Sequence, residues 1–481
     1  MLKAIATIAL LTLALTACAS GVPPAQEEAF VFEAADGARV DAFRGHFKAP
    51  ENRADPQSRM IDLHYVRFPA TGENPGAPIV YLAGGPGGSG IETAKRNRFP
   101  LFMAMREFGD VIAFDQRGTG ASNNLPDCQS SVVIPDTAPV SDQEYAEAQR
   151  TAFRECLEFW RGAGVDIYGY TTLESARDLE TLRRALGADK LSLWGISYGS
   201  HLAMAAAKEM GPRIDRIVLA SAEGLDQTVK LPARTDAYFE RLQAAINAQP
   251  EARSVYPDIK AMIRRVHAKL DQDPVTLNIP LKDGGAAPVL FQRSFMQQVA
   301  SALIADPQRA SMLLGLYLVA DNDEFGPLVG VLQRFYTPNE PVSFRPMSAA
   351  MDVASGISEG RRSLFEAQVG DALIGPYLNF PMPQLAGVAP ELDLGADFRS
   401  GPNSSIPTLL LSGTLDGRTY PDGQREALAG FENLTAITVV NAGHNLFMSS
   451  PEVTEVIQAF MRGDEIMDRE IMVDAPSFSP F

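Results

Sequence analysis

Short apolar runs bounded by Gly, Asp or Ser recur along this chain: Ile79 to Ala83, Val111 to Phe114, Leu191 to Trp194, Ile217 to Ala220 and Thr408 to Leu411. Near-continuous runs of this length suit strands buried on both faces of a parallel sheet. Met60 to Phe68 alternates in part, as an outer strand would. Ala176 to Leu186 and Tyr198 to Lys208 have helical spacing and lie between or after the runs. Strands alternating with helices predict a doubly wound α/β sheet.

Between about Leu225 and Arg399 the alternation lapses. Arg234 to Ala248, Ile259 to Leu270, Phe295 to Ile304 and Met347 to Ala354 read as helices separated by Pro- and Gly-bearing loops. This predicts a mainly helical cap, residues 225–399, inserted between two strands of a core made of residues 45–224 and 400–463. Thr408 to Ser412 and Ile437 to Val440 are expected as the last two strands, with Val453 to Met461 as the closing helix. Residues 464–481 read as an acidic C-terminal tail.

With 46% hydrophobic and 21% charged residues in 481, the chain can build a large core. Lys and Arg total 42 against 59 Asp and Glu, a net charge of −17, which argues against nucleic acid as a partner.

The first residues read as an export signal, residues 1–17: Lys3, then an apolar run from Ala4 to Leu15 too short to span a bilayer. Leu15-Thr16-Ala17-Cys18 resembles the lipobox of bacterial lipoproteins, which would leave Cys18 as a lipidated N-terminus and anchor the protein without spanning. The alternative is an ordinary secretory signal. Ala19 and Ser20 lack the Asp that marks inner-membrane retention in such lipoproteins, so the expected place is the outer membrane, facing the periplasm. Residues 18–44 are expected as a tether and N-terminal segment. In an oxidising compartment Cys128 and Cys156, 28 residues apart, can form a disulfide, for which chain entropy gives roughly 3 to 4 kcal/mol. The alternative is two unpaired buried thiols. Neither has a neighbouring His or acid motif, and no metal site is expected.

The strongest local signal is Leu191 to His201, an apolar strand running through Gly195-Ile196-Ser197-Tyr198-Gly199 into an Ala-rich helix. Strand, Gly-x-Ser-x-Gly and helix together make a nucleophile elbow, with Ser197 exposed at the positive end of a helix. A neutral hydroxyl needs a base oriented by an acid. Of five histidines, His46 and His64 precede the first of the buried apolar runs and His267 lies in the insertion. His201 stands one turn along the elbow helix, which suits packing or capping. His444, in a Gly-His loop after a late strand, fits the base. Asp416, just past Thr408 to Leu411, fits the acid ahead of Asp422, which lies deeper in the loop beyond Pro421. The developing oxyanion needs two amide donors. Tyr198 should supply one, and Gly85 in the loop Gly84 to Gly90 the other. That loop lacks the Lys-Ser/Thr ending of a phosphate-binding loop.

The motifs Gly84-Gly85-Pro86-Gly87-Gly88-Ser89-Gly90, Asp115-Gln116-Arg117-Gly118-Thr119-Gly120-Ala121-Ser122 and Gly195 to Gly199 together resemble the prolyl aminopeptidase and tripeptidyl aminopeptidase branch of α/β-hydrolases. Pro50-Glu51-Asn52-Arg53 and the segment from Tyr170 through Asp178 to Gly187 are similar to that branch as well. The resemblance runs from about Gly45 to Met461, with the insertion matched only in position and character. Ala83 stands where related peptidases often carry a His, and no residue of the insertion matches those that hold a peptide's free N-terminus.

The resemblance implies an α/β-hydrolase fold with a helical cap, and a cofactor-free serine peptidase releasing short N-terminal units from periplasmic peptides. An aminopeptidase needs a carboxylate for the substrate ammonium. Glu223 and Asp226, just past the strand that ends near Ser221, are candidates, the alternative being two solvated loop acids. Two other readings stay open: an esterase or amidase using the same three residues, and a lipid-tethered envelope-binding protein that keeps the scaffold without catalysis.

Overall fold

A computed structural model describes residues 23–122, 125–282, 284–334 and 336–479; Cys18 and the signal segment lie outside them. In chain order the strands are β1 (Gln26–Glu33), β2 (Arg39–Pro50), β3 (Met60–Phe68), β4 (Ile79–Leu82), β5 (Val111–Phe114), β6 (Cys128–Gln129), β7 (Leu191–Ile196), β8 (Ile214–Ala220), β9 (Val275–Pro280), β10 (Ala286–Phe291), β11 (Ser343–Phe344), β12 (Thr408–Gly413), β13 (Leu434–Val440) and β14 (Arg469–Met472). Ten of them form one sheet in the order β1-β2-β3-β5-β4-β7-β8-β12-β13-β14. The pairs from β1 to β5 run antiparallel, and every pair from β5 through β14 is parallel.

Strands β4, β5, β7 and β12 are buried at every residue because both faces are covered. On one face Leu191 and Leu193 pack with Leu202 and Ala206 of the helix Tyr198–Met210 and with Leu179 of the helix Thr172–Ala185. On the other, Trp194 and Ile196 pack with Phe102 of the helix Phe99–Met105 and Ile457 of the helix Pro451–Arg462. Successive β7 side chains thus serve opposite cores, as the pleat requires.

The lobe inserted between β8 and β12 has its own core, in which Tyr238, Leu242, Ile263, Val299, Leu313 and Tyr317 are buried together. It is mainly helical, as expected, with a β9–β10 hairpin added. It also recruits an earlier stretch, counted in the sequence with the core. The helix Asp142–Gly162 places Phe153, Cys156 and Trp160 against Phe344, Ala350 and Leu385, and β6 pairs with β11. A disulfide joins Cys128 to Cys156, with Cα atoms 5.6 Å apart, and so ties β6 to this helix.

Two expectations about the ends are corrected. The N-terminal segment is not a tether beyond Gln26, because β1 and β2 belong to the sheet, with Phe32 buried against Phe68. Residues 464–479 of the expected acidic tail are built into the body. β14 pairs in parallel with β13, and Phe478 is fully buried in the core of the lobe. Pro476 and Ser477 carbonyls accept from Gln249 and Ser311, which straps this segment across the lobe. Only Ile471 of β14 is buried, so the strand carries no periodic apolar signal.

Candidate active site

Ser197 follows β7 directly and has φ 54° and ψ −128°, a strained conformation for a residue with a Cβ. It occupies the N-cap position of the helix Tyr198–Met210, yet its side chain makes no capping bond, leaving the hydroxyl for the cavity it lines. The two glycines of the motif are needed because the chain folds back on itself. A methyl group at Gly199 would sit 2.0 Å from the Leu82 carbonyl oxygen, and one at Gly195 would sit 2.6 Å from that of Gly199.

His444 stands after β13 and Asp416 after β12. Nδ1 of His444 lies 3.0 Å from Oδ2 and 3.1 Å from Oδ1 of Asp416. Asp416 also accepts from the amides of Arg418 (2.8 Å) and Thr419 (2.9 Å) and from the Thr419 hydroxyl (2.7 Å). Burial alone would raise its pKa, but His444 and these donors outweigh burial and hold the carboxyl below its ordinary value. Ser221, at the end of β8, donates to the His444 carbonyl at 2.8 Å and fixes the backbone of that loop. His444 and Ser197 line one cavity of about 960 Å³.

The loop from Gly84 to Gly90 passes over the nucleophile, where a methyl on Gly84 would meet Ser197 Cβ at 3.1 Å. Asp115 anchors the loop by accepting from the Ser89 hydroxyl (2.6 Å) and from the amides of Ile91 (3.1 Å) and Ala121 (2.7 Å). Gly85 lines the cavity, and among the described residues its amide has no acceptor. The Tyr198 amide is one of the orphan donors at the start of its helix. The phenol of Tyr198 is buried away from the cavity, against Thr172 and Met351, so this residue can serve the site only through its backbone.

His201 is buried, with Nδ1 3.1 Å from the Gly224 carbonyl and Nε2 3.0 Å from the Ser355 hydroxyl, and burial lowers its pKa. It packs helix to lobe. Asp422 is exposed and pairs with Arg234 at 3.3 Å, apart from His444.

Glu223 reaches the cavity and Asp226 does not. Asp226 accepts from the Ser358 amide at 2.7 Å and from its hydroxyl, and so secures the start of the lobe helix Glu359–Val369. Its assignment to substrate is therefore corrected: its carboxylate is already committed. Glu223 receives Lys230 Nζ at 2.6 Å. Burial opposes its charge most strongly of any one cause, but the charge and hydrogen bond of Lys230, with His201 and His444, together outweigh it and lower the pKa. Asp352, on the lobe helix Pro346–Ser355, also lines the cavity; burial first, then the charge of Glu223, push its pKa up to about 8. Asp352, Lys230 and Thr419 were not singled out from the sequence. Thr419, three residues past Asp416, is the one a local motif could have pointed to.

The other shared motifs lie below the site. Arg117, fully buried, donates from Nε and Nη2 to Asp178 at 2.7 Å each and from Nη1 to the Glu51 and Gly169 carbonyls. Arg53 bridges Glu174 (2.6 Å) and Asp178 (2.7 Å), and Glu51 accepts from Tyr170 (2.9 Å) and Arg59. Three distant segments are thus bound into one network under the sheet edge. Among the described residues no cluster suited to a metal ion is present, and no helix is long and apolar enough to cross a membrane.

Residues 77–269 match the family model of the alpha/beta hydrolase fold, and the chain has that fold. It is 34% identical over 186 residues to a tripeptidyl aminopeptidase of Streptomyces lividans, 37% of this chain and 34% of that one. It is 31% identical over 187 residues to the serine protease Hip1 of Mycobacterium tuberculosis, 38% of this chain and 36% of that one. A proline iminopeptidase of Arabidopsis thaliana is 25% identical over 224 residues, 46% of each chain. The chain spans about a third of the length of the two bacterial relatives.

Proposed function

On this α/β-hydrolase scaffold we propose a serine aminopeptidase that releases short N-terminal units from peptides through an acyl-enzyme. The observation that carries the reading is a nucleophile elbow at Ser197 opening into a cavity that is also lined by His444, which Asp416 backs, and by the acids Glu223 and Asp352. The relatives named above include a tripeptidyl aminopeptidase, a proline iminopeptidase and a serine protease, which supports this reading.

Ser197 Oγ attacks the scissile carbonyl carbon, and its proton passes to Nε2 of His444, the nitrogen left free when Nδ1 faces Asp416. The charge that gathers on the carbonyl oxygen is held by the Gly85 and Tyr198 amides. As the C–N bond breaks, Nε2 returns the proton to the leaving amine. Water then adds to the ester carbonyl, His444 takes a proton from it, and Ser197 leaves as the restored hydroxyl.

Glu223 and Asp352 set the end of the acyl unit. Since Lys230 already neutralises Glu223, Asp352 is the acid left for the incoming ammonium. Ammonium arrival favours loss of the Asp352 proton to water and holds the resulting carboxylate as a charge pair. A lipid on Cys18 would keep the enzyme on the periplasmic side of the outer membrane, and [3H]palmitate labelling lost in Cys18→Ala tests that.

The test of function is a panel of aminoacyl and peptidyl anilides, their N-acetylated forms and p-nitrophenyl esters, with Ser197→Ala as control. Free-amine peptidyl substrates should be cleaved and their acetylated counterparts spared. Fast ester cleavage with no peptide cleavage would replace the peptidase with an esterase, and absence of fluorophosphonate labelling at Ser197 would leave a binding protein.

A further inference from the structure

The cavity has a second charged end that the proposed chemistry has not used. Arg96 and Arg98 lie in the connection between the helices Gly90–Ala94 and Phe99–Met105 and line the cavity with Asn97 and Asn445. Arg98 donates to the Tyr81 hydroxyl and to Asn445 Oδ1 (3.2 Å) and stacks 5.5 Å from the centre of the Phe447 ring. Asn445 is held in turn by Asp306, which accepts from its amide (3.0 Å) and from Nδ2 (2.8 Å), so that the Asn445 oxygen faces Arg98. Arg96 is exposed, and among the described residues neither guanidinium has an ion-pair partner. In a chain of net charge −17, two unneutralised guanidiniums on one cavity wall are a specific arrangement.

Their side of the nucleophile matters. Phe99 and Phe102, next to these arginines, pack with Trp194 and Phe447 on one face of the sheet. Met351, next to Asp352, packs with Leu202, Ala222 and Leu225 on the other. Ser197, directly after β7, lines the same cavity as both groups. The leaving amine takes its proton from His444, so the departing part of the substrate lies along His444, whose next residue, Asn445, holds Arg98. The ammonium end and the arginine end are therefore on the acyl and leaving sides of the scissile bond.

We propose that Arg96 and Arg98 form a leaving-side subsite for the free C-terminal carboxylate of the substrate, making short unblocked peptides the substrate class. The inference rests on the aminopeptidase reading. A cavity of about 960 Å³ suits it: this is the upper end of small-molecule sites and holds a short peptide with both ends recognised. Arg98, braced by Tyr81 and Asn445, is the fixed cation; Arg96, free of partners, is the one that closes on the carboxylate.

The test compares tetra- and pentapeptides as free acids and as C-terminal amides, using the full chain. The free acid should be preferred in kcat/KM by about fivefold at low salt, the size expected for a partly exposed ion pair, with the preference shrinking as salt rises. Arg96→Ala should bring the acid-to-amide ratio toward one, and Arg96→Glu should invert it. Equal rates for acid and amide in the native enzyme, or a ratio unmoved by both substitutions, would overturn this proposal alone. Cleavage of esters with no cleavage of either peptide form would overturn the peptidase reading with it.

Discussion

Lys230 donates to Glu223 at 2.6 Å inside the cavity that Asp352 also lines, so one of the two acids is already paired and the other is held protonated. The consequence is a pH dependence of substrate capture. As pH rises toward about 8, Asp352 ionises and KM for a free-amine peptide should fall; above that the substrate amine, with a pKa of about 7.7 to 8.0, loses its own proton and KM rises again. Asp352→Asn should abolish the falling limb. The same shift acts on stability: the folded state holds a proton on Asp352 that the unfolded chain releases near pH 3.8, so stability is lost as pH rises from there to about 8. Urea midpoints should fall over that window in the native protein and less in Asp352→Asn.

Asp416 accepts four donors, and in the proposed mechanism it keeps His444 in one tautomer. Asp416→Asn should lower kcat by about 10⁴ with little change in KM. Asp422→Asn, a neighbour in sequence whose carboxylate pairs with Arg234 instead, should leave kcat unaltered. Steady-state rates on one peptidyl anilide measure both.

Much of this was written in the chain. Ser197, Asp416 and His444 each follow a strand of the parallel part of the sheet, which is why local pattern and chain order made them candidates. Strands buried on both faces were legible for the same reason. Asp352 was not: it sits in an ordinary helix of the lobe, and only the tertiary packing of that helix over the elbow brings it to the cavity. Asp226 misled because a loop acid near a strand end looks the same whether it faces a pocket or caps a helix. β14 escaped because a single buried residue has no period.

Arg117 and Asp178 are both fully buried, and removing Asp178 leaves the Arg117 guanidinium with only the longer contact to Glu174 at 3.6 Å. Asp178→Ala should cost about 3 to 5 kcal/mol of stability, a loss that chemical denaturation reads directly.

Reduction of Cys128–Cys156, or the double substitution to Ser, should destabilise by about 3 kcal/mol. Because the bond lies within the lobe's second core, apart from the Asp416–His444 pair, the surviving folded fraction should label with fluorophosphonate at the native rate.

Phe478→Ala should cost about 3 to 5 kcal/mol, the range for emptying a buried aromatic site, with loss of lobe order seen as faster proteolysis.

The strap from β14 to Phe478 also sets a schedule. A growing chain has Ser197 and its helix well before residues 469–478 exist, yet β13 has no outer neighbour and the lobe's core has no Phe478 until they arrive. The lobe above the nucleophile is completed late in synthesis, so the cavity between them takes its full shape only after the elbow beneath it has been made.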